Sequence, residues 1–247
     1  MKNIFNYLGS SATIAACALA FTSCVEETLL QSDVATDKIV AESTSATEGL
    51  AQGMPAYLVD VWSTNSHCYF GYPAEIIVRD MLTGDYTHVG ETGYSHFISW
   101  NKNQYMGQDY MKQQFHWNYY YGFLSSVNGV IRAIDEETAA AGPLGYLGSA
   151  LAYRAMLYLD LARLYECLYT EVQNGTDYEG QQYLVSGLTV PIVSDKTAEA
   201  DAANNPRASR EEMFNFIFED LAFAEEVFSG DYAPTAVTDP TLAVVYG

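Results

Sequence analysis

The feature that most constrains this chain is an apolar stretch at residues 148–169, with the sequence GSALAYRAMLYLDLARLYECLY. Its apolar residues recur at the three- and four-residue spacing of a helix, and no Pro or Gly interrupts it after its first residue. Its only formal charges are those of Arg154, Asp160, Arg163 and Glu166. Because so apolar a helix needs neighbours on at least two sides, we predict that it is the central helix of an all-α core.

Further helices are predicted before this central helix. Residues 109–136 carry a continuous apolar stripe at helical spacing, and Gly122 and Gly129 within it would let a neighbouring helix approach closely. A shorter helix is predicted at 72–82. Residues 139–146, which contain a Gly-Pro pair, are predicted to form the turn into the central helix. These elements indicate a stack of packed helices.

Two capping-box patterns predict where other helices begin. Ser209 is followed three residues later by Glu212, and the helix that starts there is expected to end at Gly230. Ser45 and Glu48 have the same spacing and predict a helix that runs to about residue 62, with a kink or restart at its internal proline.

The N-terminal residues 1–23 have the pattern of a signal peptide. A thin basic region is followed by a short apolar run, and the sequence FTSC at 21–24 resembles a bacterial lipoprotein processing site, in which Cys24 would be lipidated after cleavage. The sequence IAAC makes Cys17 an alternative, but cleavage there would leave only a stunted apolar run. An ordinary secretory signal with incidental cysteines is a second alternative. We predict lipidation at Cys24.

Residues 24–44 are polar and acidic without periodicity, and they are predicted to form a flexible tether. Glu26 and Glu27 lie one residue beyond Cys24, and such acidic residues resemble the surface-export signal of lipoproteins in the Bacteroidetes phylum. This resemblance implies a protein anchored to the outer membrane and exposed at the cell surface. Cys68 and Cys167 are left either as one disulfide or as free thiols, with Cys167 buried in the central helix.

Charge and motif content exclude several classes of function. The formal net charge is −20, from 31 acidic and 11 basic residues, and such a charge repels nucleic acids and anionic lipids. No phosphate-binding loop, dinucleotide fingerprint or nucleophile elbow is present. The histidines lack the spacing of zinc ligands: they are His67, His88, His96 and His116. We therefore predict a protein without enzymatic activity, cofactor or metal.

The irregular segment 83–108 supplies the candidate binding residues. Trp100 and Tyr105 offer flat rings that can stack against the apolar faces of sugars, and the amides of Asn101 and Asn103 can pair with sugar hydroxyls. These four residues are the predicted ligand contacts, the alternative being that Trp100 packs beneath the loop. Nearby aromatic residues at 117 and 119–121 are instead predicted to pack in the core.

Three motifs together resemble those of SusD-like (RagB/SusD) outer-membrane lipoproteins. They are RAMLYLDLARLY at 154–165, the extended apolar segment GLTVPIV at 187–193, and PRASREE at 206–212. The resemblance implies a superhelix of tetratricopeptide-like helix pairs with long irregular loops. Residues 45–247 would be the N-terminal α-helical domain of a longer protein. The apolar segment at 240–247 looks like a helix cut short.

The resemblance also implies a function. Members of the family bind oligosaccharides, or sometimes peptides, and sit as a lid on a SusC-like TonB-dependent transporter. In the founding member an aromatic residue and an Asn in the corresponding loop contact starch, which matches best to Trp100 and Asn101. We therefore expect a surface lipoprotein that captures a glycan and delivers it to the transporter. The alternatives are a tetratricopeptide-like adaptor for proteins and a fragment of a secreted glycoside hydrolase.

Overall fold

Helices contain most of the residues that the structure describes. The computed structural model describes residues 43–59, 71–87, 97–99, 105, 110–166, 174–176 and 182–230. In chain order the elements are α1 Thr44–Val59, α2 Tyr72–Thr83, α3 Met111–Ala133, α4 Ala141–Tyr165, β1 Asn174–Thr176, β2 Gln182–Leu184, α5 Glu199–Ala202 and α6 Arg210–Ser229. The two short strands pair antiparallel, with Gly175 opposite Tyr183. The predicted all-α class is confirmed.

The central helix α4 packs against α6, α3 and α1. It begins earlier than predicted, since Gly142 and Pro143 lie in its first turn and not in a preceding turn. A proline is tolerated there because the first amide groups of a helix have no partner within the helix. The core around α4 is formed by apolar and aromatic side chains, the largest of them being Met54, Tyr119, Tyr120, Phe123, Leu124, Leu157, Tyr158, Leu161 and Met213.

The close approach of two helices occurs at a glycine of α4. A side chain at Gly148 would place its Cβ 3.1 Å from Phe228 Cζ and 3.2 Å from Val227 Cγ1, both near the end of α6. The sequence prediction for Gly122 and Gly129 is wrong. A Cβ at Gly129 would meet nothing within 4 Å, and one at Gly122 would meet Tyr57 at 3.9 Å, because α3 does not turn these positions toward a tightly packed backbone.

One of the two predicted capping boxes forms. The Glu212 amide donates to Ser209 Oγ at 3.2 Å, and the Ser209 amide donates to Glu212 Oε2 at 2.8 Å, so α6 begins as predicted and ends before Gly230. The helix predicted near Ser45 also forms, as α1 from Thr44, but its cap differs from the predicted one, since the Ala46 amide donates to Ser43 Oγ at 3.4 Å. Ser43 offers the same hydroxyl two positions earlier than Ser45, so the helix starts there.

Two of the charges of α4, those of Arg154 and Asp160, are buried in ion pairs. Arg154 Nε and Nη2 both donate to Asp220 of α6 at 2.7 Å, and Arg154 Nη1 donates to Asp195 Oδ1 at 2.7 Å. Arg154 Nη1 also donates to Asn128 Oδ1 of α3 at 3.0 Å. Burial raises the pKa of Asp220, and the Arg154 guanidinium opposes that rise. Arg154 therefore joins α3, α4, α6 and the segment before α5.

A second ion pair joins α4 to α2. Arg79 Nη1 and Nη2 donate to the two carboxylate oxygens of Asp160 at 2.6 and 2.9 Å, a bidentate geometry. The hydroxyls of Tyr72 and Tyr120 donate to the same carboxylate at 2.9 and 3.2 Å. Asp160 is thus fully partnered although its side chain is almost inaccessible to water.

The extended segment at 187–193 lies against the helices and is held through its backbone. The Tyr158 hydroxyl accepts from the Val193 amide at 2.7 Å and donates to the Val193 carbonyl at 2.9 Å. Arg207 donates to the carbonyls of Thr189 at 2.6 Å, Leu188 at 2.9 Å and Tyr165 at 2.8 Å. Arg207 therefore ties this segment to the end of α4, so the arginine of the PRASREE motif has a structural role.

A buried cluster of three ionisable residues fixes the start of α3 against α2. Lys112 Nζ donates to Glu75 Oε1 at 2.5 Å, and His116 Nε2 contacts Glu75 Oε2. All three side chains are buried. Burial alone would raise the pKa of Glu75, but the contact with His116 and the charge of Lys112 outweigh it and hold that pKa below its ordinary value of 4.5.

Several sequence predictions concern residues outside those that the structure describes. They are the signal peptide and most of the tether, Cys17, Cys24, Cys68 and Cys167, and the segment 240–247. Within the described part of the chain, no helix combines the length and apolarity that crossing a bilayer requires.

The Glu75 cluster predicts a specific pH dependence of stability. A carboxylate whose pKa is lowered by folding stabilises the protein above pH 4.5, and this contribution is lost as the pH falls through the folded-state value. Glu75→Gln should cost about 3 kcal/mol at neutral pH, because the buried Lys112 loses its counter-charge. Its free energy of unfolding in urea should fall less than that of the wild type between about pH 6 and pH 3.

The matched control for this experiment is Glu137→Gln, which removes an exposed carboxylate in the link between α3 and α4. The control should keep the pH dependence of the wild type. An unchanged pH dependence in Glu75→Gln would show that the cluster does not hold the carboxylate in its charged form.

Candidate functional site

Of the four predicted ligand contacts, the structure describes Tyr105. Trp100, Asn101 and Asn103 lie outside the described residues. Tyr105 is 54% exposed, and its backbone has a φ of 60°, in the left-handed region. A bulky residue in that region is uncommon, and such conformations cluster at binding and catalytic sites. The Tyr105 ring is therefore in contact with solvent.

Tyr105 packs against a second exposed tyrosine at the start of α3. Its ring centroid lies 5.1 Å from that of Tyr110, at an interplanar angle of 65°. This edge-to-face arrangement is favourable for aromatic pairs. Tyr110 is the residue immediately before the first turn of α3 and is 44% exposed. The two rings form an exposed aromatic pair that the sequence prediction included only in part.

The first half of α3 has two chemically different faces. Lys112 and His116 lie on one face and contact Glu75 in the core. Tyr110, Gln114 and Trp117 are exposed, and their spacing of four and seven residues places them together on the opposite face. None of these three exposed residues carries a formal charge. The buried cluster therefore fixes the helix in the orientation that presents this uncharged face to solvent.

Trp117 extends this face into a group of three aromatic rings, called here the aromatic platform (Trp117, Tyr121 and Tyr165). The Trp117 centroid lies 4.6 Å from that of Tyr121 and 5.4 Å from that of Tyr165. Trp117 is 39% exposed, whereas Tyr119 and Tyr120 are buried in the core. The prediction that these aromatic residues pack in the core therefore holds for Tyr119 and Tyr120. It holds in part for Tyr121, which is half-buried against the core, and is wrong for Trp117.

Hydrogen bonds hold the two tyrosines of the platform in place. The Tyr121 hydroxyl donates to the Pro191 carbonyl at 2.7 Å, and Arg207 Nη2 donates to the Tyr165 carbonyl at 2.8 Å. Burial raises the pKa of the Tyr121 hydroxyl, and burial together with the charge of Glu75 raises the pKa of Tyr165 to about 12. Both hydroxyls are neutral at physiological pH.

A separate open groove lies beside α5. It has a volume of about 410 Å³ and is lined by Ile192, Thr197, Ala200, Asp201, Asn204, Asn205 and Pro206. Asn205 Nδ2 donates to the Ile192 carbonyl at 2.6 Å, so this amide is already used by the fold. None of the described residues that line the groove is aromatic, and it therefore lacks the flat surfaces found on α3.

The described residues do not assemble a metal site. Within the described ranges, no group of three or more His, Cys, Asp or Glu is placed to hold a metal ion. Glu75 and Asp220, whose pKa values are shifted, are both buried against cations that stabilise the fold. These carboxylates serve packing and are not available to a substrate.

Part of this surface could have been found from the sequence. One predicted helix carries aromatic residues at a spacing of seven and then four residues, namely Tyr110, Trp117 and Tyr121. This spacing predicts that the three lie on one face of the helix. Tyr165 lies at the end of another helix, and only the packing of α4 beside α3 brings it to Trp117. Such a long-range contact leaves no local signal.

Comparison with known proteins gives a family match. Residues 72–247 match the family model SusD-like_3, described as "Starch-binding associating with outer membrane". A search of curated protein sequences finds no match to this chain.

Solved structures share the fold at low sequence identity. A SusD-like carbohydrate-binding protein from Bacteroides vulgatus superposes with a TM-score of 0.62 and is 24% identical, over 83% of this chain and 40% of that one. A SusD-like carbohydrate-binding protein from Bacteroides fragilis superposes with a TM-score of 0.52 and is 16% identical, over 83% of this chain and 36% of that one. A SusD superfamily protein from the same species superposes with a TM-score of 0.55 and is 18% identical, over 82% of this chain and 44% of that one.

The present chain therefore spans less than half the length of these relatives. Their low identity shows a common fold and nothing finer, whereas the family model covers well over half of the chain. The three motifs that carried the resemblance lie inside the matched residues. Arg154 of the first motif pairs with Asp220 of α6, and Arg207 of the third motif donates to the backbone of the second, the extended segment. The chain belongs to the SusD-like family.

Proposed function

We propose that this chain is the N-terminal part of a non-catalytic cell-surface lipoprotein that captures a neutral oligosaccharide and delivers it to a SusC-like TonB-dependent transporter of the outer membrane. Membership of the family described as starch-binding and associated with the outer membrane supports this proposal. The observation that carries it is the exposed pair of Tyr105 and Tyr110, because Tyr105 belongs to the predicted binding loop.

The proposed ligand contacts are Trp100, Asn101, Asn103 and Tyr105. Sugar rings stack on aromatic faces through their C–H bonds, and side-chain amides pair with sugar hydroxyls. Tyr105 can make the first of these contacts, since its ring is exposed. The left-handed φ of Tyr105 is an outlier of the kind that accompanies binding sites.

Charge supports a neutral ligand. The formal net charge of −20 disfavours anionic ligands such as nucleic acids and acidic polysaccharides. The exposed residues Tyr110, Gln114, Trp117 and Asn118 at the start of α3 are uncharged, so this part of the surface offers aromatic and amide contacts. A peptide ligand in place of a glycan is the alternative that the same surface chemistry leaves open, and it is an outcome of the experiment below.

The proposed anchor is the lipidated Cys24, with residues 1–23 removed and residues 24–44 forming the tether. The domain that binds the glycan and the transporter would begin at residue 45. The outer-membrane description of the family supports this arrangement.

Glycan binding is tested with the chain that begins at residue 25, by affinity electrophoresis in gels that contain soluble starch, xylan, mannan or arabinogalactan. We expect at least one polysaccharide to retard the wild type, and Trp100→Ala and Asn101→Ala each to weaken binding about ten-fold, a loss of about 1.4 kcal/mol. Phe218→Ala, which removes an exposed aromatic ring on α6, is the matched control and should bind like the wild type.

Failure of every polysaccharide to retard the protein would contradict the proposal. Retention of casein peptides in place of glycans would identify a peptide ligand. Release of new reducing ends from the retained polysaccharide would identify a glycoside hydrolase. Binding of a protein partner alone would identify a tetratricopeptide-like adaptor.

Lipidation is tested by expressing the chain in a Bacteroides host that is fed an alkyne-labelled fatty acid. The wild type and Cys17→Ser should carry the label and be degraded by protease added to intact cells. Cys24→Ser should lose the label and leave the membrane fraction. Loss of label in Cys17→Ser alone would move the anchor to Cys17, and absence of label in the wild type would contradict the lipoprotein assignment.

A further inference from the structure

We propose that the aromatic platform of Trp117, Tyr121 and Tyr165 is a second sugar-binding subsite, so that the protein prefers long neutral oligosaccharides over short ones. This inference rests on the proposed function. It adds a site outside the predicted loop, on residues that α3 and α4 bring together, and it specifies the length of the ligand.

The first argument is the exposure and rigidity of the platform. Trp117 is 39% exposed although it lies in the interior of a long helix, where its neighbours Tyr119 and Tyr120 are buried. The ring is supported by Tyr121 at 4.6 Å and Tyr165 at 5.4 Å. Hydrogen bonds to Pro191 and from Arg207 fix the supporting residues. A ligand therefore meets a surface that needs no ordering before it binds.

The second argument is the chemistry of the surrounding surface. Gln114 precedes Trp117 by one helical turn and Asn118 follows it directly, and both are exposed. Aromatic faces flanked by amides match the alternating apolar faces and hydroxyls of a neutral sugar. The raised pKa values of Tyr121 and Tyr165 keep their hydroxyls protonated. Next to Tyr165, Arg210 Nε donates to Glu166 Oε1 at 2.5 Å, so these two charges are paired.

The third argument is the alignment of the platform with the pair of Tyr105 and Tyr110. Tyr110 and Trp117 are seven residues apart on one face of α3, which separates them by about 10 Å along the helix axis. The separation is longer than one sugar ring. One oligosaccharide chain that lies along α3 can contact both sites, whereas a short one can occupy only one of them. Linking two contacts in this way raises the affinity for the longer ligand.

The experiment compares a disaccharide with a heptasaccharide, both prepared from the polysaccharide that the wild type retains, by isothermal titration calorimetry. Trp117→Ala should weaken binding of the heptasaccharide about ten-fold and leave that of the disaccharide unchanged. Trp117→Phe, which keeps a ring, should retain most of the affinity. Phe218→Ala is the matched control, and circular dichroism should show unchanged helix content in all variants.

The outcomes separate the platform from the primary site. Unchanged heptasaccharide binding in Trp117→Ala, together with a loss in Trp100→Ala, would overturn the platform proposal and leave the proposed function in place. An equal loss for both ligands in Trp117→Ala would also overturn it, because Trp117 would then belong to the primary site. Unchanged binding in both variants would contradict both proposals.

Discussion

The fold depends on one buried cation in the middle of its most apolar helix. Arg154 lies on α4, and its guanidinium is bound by Asp220 of α6, Asp195 and Asn128 of α3. An unpaired charge at this depth would be very costly, so the helices must meet in the register that supplies all of these acceptors. The Phe216 ring packs over the same guanidinium, with its centroid 4.8 Å away. We infer that Arg154 selects this packing arrangement over others that bury similar apolar area.

The same arrangement connects the scaffold to the proposed ligand surface. Glu75 holds Lys112 and His116 on the inner face of α3, and the opposite face therefore presents Tyr110 and Trp117. Because Arg207 ties the end of α4 to the extended segment, Tyr165 is held beside Trp117. Both sets of contacts join buried polar side chains from different helices, and such contacts favour a single well-ordered core. A binding surface on such a scaffold is rigid.

Local signals predicted the helices well and the contacts between them poorly. The apolar spacing of residues 148–169 and the Ser209–Glu212 capping box depend on neighbours in sequence, and both helices form. Ser45 does not cap α1 because the Ser43 hydroxyl takes that role. Gly129 does not allow a close helix contact because the packing of α3 leaves no neighbour within 4 Å of it. The partnership of Arg154 with Asp220 joins distant parts of the chain and leaves no periodic signal. In the candidate site, Tyr105 was predicted from the sequence and is exposed in the structure. The aromatic platform around Trp117 could be recognised only once the fold was known.

The most direct test of this account is a double-mutant cycle on Arg154 and Asp220, with free energies of unfolding measured in urea. Arg154→Met alone should cost about 3 to 5 kcal/mol, because it leaves the Asp220 carboxylate buried without its partner. Adding Asp220→Asn should restore part of that loss, giving a coupling energy of about 1 to 3 kcal/mol between the two positions. Strictly additive effects of the two substitutions would contradict the claim that this ion pair organises the helices.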